Sequence, residues 1–196
     1  MERSDRAPPM PDPSGPDASR PRIWTIGHST HPWEAFLALL AANGIGAVAD
    51  VRRFPGSRRY PWFASEALAQ ALPGAGVRYL WVPELGGRRA PGPGSPNGAW
   101  RNPAFQGYAD HLASAEFAKG LARVLDSAGV RPTALMCAEA VWWRCHRRLI
   151  ADVLVHRGFE VLHILGPGQA QFHVLSPEAR PQGDALVYPP PQAGLF

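Results

Sequence analysis

Residues 23–51 read IWTIGHSTHPWEAFLALLAANGIGAVADV. The stretch opens on a short apolar run, Ile23–Ile26, that stops at Gly27-His28-Ser29-Thr30. Trp33–Ala42 then carries apolar side chains at helical spacing, and Asn43-Gly44 follows as a C-cap signal. Ala47–Val51 is a second apolar run. Strand, helix and strand in so short a span make a βαβ unit, and two strands joined through a helix lie parallel.

The same alternation continues outward. Ser65–Leu72 is a second helix, with Ser65 as its expected N-cap and Pro73-Gly74 as its stop. Val77–Val82 is the third strand. Phe105–Ala128 reads as one long helix, because Tyr108, Leu112, Phe117, Leu121, Val124 and Leu125 recur near its period. Thr133–Cys137 is the fourth strand, Cys145–Arg157 the fourth helix and Glu160–Leu165 the fifth strand. The pattern predicts a single α/β domain with a mostly parallel sheet of about five strands and helices on both faces. Its expected extent is 22–176. Residues 1–21 are Pro, Ser, Asp and Arg with almost no apolar content and are expected to be disordered. Residues 88–103 form a long Gly/Pro/Asn loop, and 177–196 a Pro-rich, loose tail.

Composition narrows the functional classes. The chain has 196 residues, 45% of them hydrophobic, enough to bury a core without staples. Its two cysteines, Cys137 and Cys145, imply no disulfide framework and are expected to be free thiols. No secretory h-region opens the chain, and no apolar run approaches the about 18 residues of a membrane helix, so the expected location is the cytoplasm. Net charge is +4, and Lys119 is the sole lysine. Arginine suits phosphate and carboxylate, which favours a small anionic ligand. The same bias also follows from a GC-rich genome.

In open parallel sheets ligands bind beyond the carboxyl ends of the strands. The polar residues gather at that edge. Gly27, His28 and Ser29 follow strand one; Asp50 and Arg52 close strand two and lead into Arg53, Ser57, Arg58 and Arg59. Glu84, Gly86 and Gly87 follow strand three. Cys137 and Glu139 follow strand four, and Cys145, His146 and Arg147 open the next helix.

TIGHS, then DVR with Pro55, Ser57 and Arg58, then ELGG, then C-x-E with a later C-H-R resemble the signature of the family called domain of unknown function 488. The resemblance runs from about Ile23 to about His173. It implies that these motif positions matter; the family carries no assigned activity.

Each position has a functional and a structural reading. Gly27 and Ser29 either turn backbone amides towards an anion or cap the next helix. His28 is a candidate general base. Asp50 and Arg52, at strand spacing, are either an acid beside an anion-binding guanidinium or a structural ion pair. Arg53 and Arg58 are expected to clamp an anion and Arg59 to be solvated. Glu84 is a base or an exposed turn acid, beside glycines that admit close backbone. Cys137, at a strand end facing a helix N-terminus, is a candidate thiolate nucleophile with a lowered pKa, or a buried core thiol. The C-x5-R spacing of a phosphatase loop is not met, because Arg144 comes one position late. Cys137, Glu139, Cys145 and His146 include metal-ligand types, but the spacing fits no common zinc pattern, and a divalent metal is not favoured. His163 reads as a satisfied core histidine, and one of Trp142 and Trp143 as stacking on a ring or base.

Two functions follow. The favoured one is an enzyme acting on a small anionic or nucleotide-like substrate. Its catalytic residues would be His28, Asp50, Cys137 and Glu139. Gly27, Ser29, Arg52, Ser57, Arg58, Glu84, Gly86, Gly87, Cys145, His146 and Arg147 would bind the substrate. No G-x-G-x-x-G or Walker pattern indicates a tightly bound dinucleotide or nucleoside triphosphate. The alternative is a nucleic-acid-binding or regulatory module using the basic loop 52–59 with Trp62, Trp100, Trp142 and Trp143.

Overall fold

The structure, a computed structural model, describes residues 20–191. Eight strands and five α-helices alternate along them: β1 (Arg22–Gly27), α1 (Trp33–Ala42), β2 (Ala47–Asp50), α2 (Ser65–Gly74), β3 (Arg78–Trp81), α3 (Pro103–His111), α4 (Ala115–Ala128), β4 (Thr133–Cys137), α5 (Arg147–His156), β5 (Glu160–Gly166), β6 (Gln169–Phe172), β7 (Arg180–Gln182) and β8 (Ala185–Val187). The main sheet has order β3-β2-β4-β1-β5-β6. Its first five strands are parallel, and β6 closes one edge antiparallel to β5. This is the expected α/β fold with one strand more than expected. β6, QAQF, is exposed along its length and has no β-branched residue to mark a strand.

Period-two alternation sorts the strands into two cores. Leu135 and Cys137 of β4 face one layer, with Phe117, Leu121 and Val124 of α4 and Leu149, Ile150 and Val153 of α5. Ala134 and Met136 face the other, with Phe36, Leu39 and Leu40 of α1 and Leu68 and Leu72 of α2. β4 is buried at every residue, as a central strand covered on both faces must be.

Three expectations fail locally. The long helix is two helices, broken at 112–114. Ser114 accepts a hydrogen bond from Phe117 N at 3.1 Å and so caps α4. Both helices bury their apolar faces in one core, which is why the periodicity runs through the break. Ser65 is the first residue of α2, not its cap; Ala64 holds that place. The helix expected from Cys145 begins at Arg147, after a 3-10 turn at Trp142–Arg144.

The stretch after residue 176 is not loose where it is described. β7 and β8 form a hairpin, and Tyr188 behind it is fully buried, its hydroxyl donating to Asp152 Oδ2 at 2.9 Å. Asn97 Oδ1 accepts from Tyr188 N at 2.8 Å, tying the 88–103 loop to the same segment. The disorder expected for 1–21 falls, up to residue 19, outside the described residues, as do 192–196. No helix among the described residues is long and apolar enough to cross a membrane.

Candidate functional site

The topology places a crevice beyond β4. The chain leaves β1 and β2 into helices on one face and leaves β4 into α5 on the other. β4 lies between β1 and β2, so the following helices diverge on each side of it. Such switch points hold ligands in open α/β sheets. Two adjoining cavities lie there, about 560 Å³ and about 450 Å³, and Arg52, Phe54, Gly56, Arg88, Ala138 and Glu139 line both.

The floor of the larger cavity holds Cys137, Cys145 and His146. The imidazole is oriented by Val51: a carbonyl only accepts, so His146 Nε2 carries the hydrogen and donates at 3.1 Å. Nδ1 is left facing Cys145 Sγ at 3.6 Å. Gly87 lets the neighbouring loop lie on this ring, since a Cβ there would stand 2.8 Å from Nδ1. Arg147 Nε donates to Cys145 Sγ at 3.4 Å. Burial pushes the Cys145 thiol up. A hydrogen bond from Cys137 and the positive charge of His146 and Arg147 outweigh it and hold Cys145 well below the ordinary thiol range. Cys137 moves the other way, pushed up by its hydrogen bond to Cys145 and by burial. These directions favour an anion at Cys145 over the one expected at Cys137, and Cys145 stands just before the N-terminus of α5, where the helix dipole also favours an anion.

Cys137, Cys145 and His146 are also the group of side chains that could converge on a metal, their donor atoms lying within 4.8 Å of one another. Arg147 already donates to one of those sulfurs and sets a positive charge beside them, which opposes a cation.

Arg147, expected to bind the substrate, is not among the residues lining either cavity. It is 1% exposed, and its Nη2 donates to the Glu139 and Ala140 carbonyls while Nη1 reaches Thr25 Oγ1 at 3.4 Å. It clamps the loop after β4. From Thr25 a buried chain continues: Oγ1 to His163 Nδ1 at 2.7 Å, His163 Nε2 to His173 Nδ1 at 3.0 Å and His173 Nε2 to Asp152 Oδ1 at 2.8 Å. His163 is thus the satisfied core histidine its apolar strand suggests. Trp142 stacks on its ring at 4.2 Å.

Asp50 and Arg52 form a buried bidentate pair through Nε and Nη2. Tyr79 OH also donates to Asp50 Oδ2 at 2.8 Å. Arg52 spends a further Nη2 hydrogen on the Phe63 carbonyl and faces His28 Nε2 through Nη1 at 3.0 Å. Of the guanidinium's five donors, one on Nη1 is left for a ligand. His28 Nδ1 meets the Ser29 carbonyl at 3.1 Å, so that nitrogen carries the hydrogen and Nε2 accepts from Arg52. Burial and the Arg52 charge lower its pKa to about 4. Both ring nitrogens are engaged, so His28 orients Arg52 instead of waiting as a base.

The amides after Gly27 do not face an anion. His28 N donates to the Cys137 carbonyl and Ser29 N to that of Ala138. Nor do Ser29 or Thr30 cap α1, whose N-cap is Pro32 without a side-chain bond. Gly27 serves packing: a Cβ there would stand 2.0 Å from the Glu139 carbonyl oxygen. Glu84 also lies off both cavities, paired with Arg123 at 2.8 Å. Gly86 packs on Arg53, where a Cβ would be 2.7 Å from that residue's own Cβ. Ser57 lines the smaller cavity and accepts from Tyr60 N at 3.0 Å. Arg58 lines neither cavity, whereas Arg59, expected to be solvated, lines the smaller. Glu139 is exposed on the wall of both.

Reasoning from sequence gave no ligand role to Arg88, Arg144 or Tyr108, which also line the larger cavity. Arg88 directly follows the glycine pair and takes a left-handed φ of 62°. Arg53, Arg88 and Arg144 form no ion pair among the described residues. Arginines thus dominate the charged lining of this cavity, with Glu139 its one acid.

The profile of the family described as domain of unknown function DUF488 matches residues 32–154. The chain belongs to this family. The matched span holds the whole Cys137–Arg147 segment and begins after the TIGHS motif. No curated protein and no solved structure matches this DUF488 chain significantly.

Proposed function

We propose that this protein is an enzyme acting on a small anionic substrate, with the Cys145 thiolate as nucleophile. The observation that carries this reading is the Cys145–His146–Val51 arrangement on the floor of the arginine-lined cavity. Each part has a chemical use. His146 Nδ1 takes the proton that Cys145 gives up, and the Val51 carbonyl fixes the ring. Arg147 stabilises the sulfur anion from behind. Arg53, Arg88, Arg144 and the free Nη1 hydrogen of Arg52 supply donors for a phosphate or carboxylate. Glu139 is the acid within reach of a leaving group. The role assigned from sequence to Cys137 passes to Cys145.

A nucleic-acid module has less support. Of its four expected aromatics, Trp142 stacks on His163 and Trp100 packs against Phe105 and Tyr188. Trp62 and Trp143 remain exposed.

Alkylation by iodoacetamide at pH 6, with and without inorganic phosphate, tests the proposal by intact mass. Cys145 is expected to be labelled while Cys137 is not, and phosphate to slow labelling several-fold. Labelling that phosphate leaves unchanged, or that persists in Cys145→Ser, would count against it.

A further inference from the structure

The two thiols have more in common than a cavity wall. Cys137 ends β4 and Cys145 precedes α5, both line the larger cavity, and their sulfurs lie within 4.8 Å of each other. They are unequal. Cys145 has Arg147 Nε at 3.4 Å and His146 Nδ1 at 3.6 Å, a setting for a sulfur anion. Cys137 sits at the end of a fully buried strand and keeps its proton. A reactive sulfur beside a protonated one in the same pocket is the layout of an attacking and a resolving thiol.

We propose that Cys145 and Cys137 form a redox dithiol that reduces a small disulfide bearing carboxylates. The proposal rests on Cys145 being the nucleophile of the preceding section and names its substrate class. The Cys145 thiolate attacks one sulfur of the substrate; the protein–substrate S–S bond forms as the substrate S–S bond breaks, and the first half leaves as a thiolate. That leaving thiolate takes the proton His146 Nδ1 received from Cys145; Cys137 then gives its own proton to the freed Nδ1 and attacks Cys145 Sγ. The Cys137–Cys145 bond forms as the Cys145–substrate bond breaks, and the second half leaves as a thiolate that takes the proton now on His146. The substrate gains two electrons and becomes two thiols, and the protein loses two and becomes a disulfide. Arg53, Arg88 and Arg144 receive the carboxylates, and the two sulfurs, within 4.8 Å of each other, close in to bonding distance.

The full-length protein is mixed with one equivalent of 5,5′-dithiobis(2-nitrobenzoate), a disulfide with a carboxylate on each half. Released thionitrobenzoate and intact mass are read. Wild type is expected to release both halves and to lose two hydrogens, with no adduct and a peptide cross-link between Cys137 and Cys145. Cys137→Ser is expected to release one half and hold the other on Cys145. Cys145→Ser is expected to react at least ten-fold more slowly. A wild type that holds a stable adduct as Cys137→Ser does would overturn the dithiol while leaving the nucleophile intact. Failure of Cys137→Ser to react would overturn both. Zinc that co-purifies and is lost in either variant would also overturn the dithiol.

Discussion

Gly27→Ala strikes the joint between the sheet and the site. The new Cβ would stand 2.0 Å from the Glu139 carbonyl oxygen, 2.8 Å from the Glu139 carbonyl carbon and 2.9 Å from Ala140 Cα, all backbone atoms. None can rotate away, so the loop after β4 must move as a piece. Overpacking of this kind costs about 1–3 kcal/mol. The displaced segment also carries the Cys137 and Ala138 carbonyls that accept from His28 N and Ser29 N, worth about 1 kcal/mol each. The sum is about 3–5 kcal/mol, and at about 2–4 °C per kcal/mol for a chain this long Tm falls on the order of 10 °C. Gly56→Ala is the control, because nothing lies within 4 Å of a Cβ there. Its expected change is within about 0.5 kcal/mol. Urea titration and thermal melts of both variants measure the difference. Equal stability of the two would refute the reasoning, since both lose the same chain entropy and differ in the clash alone.

Three further outcomes are expected. Between pH 6.5 and about 4 the unfolded chain binds a proton at His28 that the folded chain refuses, so stability is full above this window, falls through it and levels off below. The loss is about 3 kcal/mol; in His28→Gln that part of the slope disappears, while His163, held at about 2, goes on contributing. Urea midpoints across pH 4–7 check this, and an unchanged slope would contradict it. Tyr188→Phe removes one of the donors to the fully buried Asp152 carboxylate and should cost about 1–3 kcal/mol in urea unfolding; no loss would mean that the segment after residue 176 does not hold the core. Gly87→Ala pushes the His146 ring off Cys145 and should slow Cys145 alkylation several-fold with a native circular dichroism spectrum, whereas an unchanged rate would detach the imidazole from the thiol's reactivity.

The fold was legible because its signals are local and repeated. The apolar strand runs, Asn43-Gly44 and Gly158 all act through neighbours in sequence, and β1 to β5 stand within a residue or two of their expected places. The break before α4 is itself local, a Ser114 N-cap hidden by the apolar period that runs across it, while β6, four exposed residues with no β-branched side chain, depends on its pairing with β5. The gathering of polar residues at one sheet edge was legible too, but not their roles. Asp50, Arg52 and His28 form one hydrogen-bonded group that uses all but one of the Arg52 donors, and Arg147 spends its donors on backbone carbonyls, Thr25 and Cys145. Which of Cys137 and Cys145 holds the thiolate depends on the orientation of His146 and Arg147 towards the second, and spacing does not carry orientation. Arg88 and Arg144 reach the cavity through loop geometry, which no periodicity reports.

The central claim is a thiolate at Cys145 in a cavity that prefers anions. It is tested most directly by alkylation with two reagents of similar size, anionic iodoacetate and neutral iodoacetamide, at pH 6.5 in low salt, followed by intact mass. The ratio of their rates is compared with that of a free thiol in the same buffer. The account predicts a ratio shifted several-fold towards iodoacetate at Cys145, falling in Arg88→Ala and Arg144→Ala and collapsing as salt screens the arginines. A ratio equal to that of the free thiol, unmoved by either substitution, would contradict it.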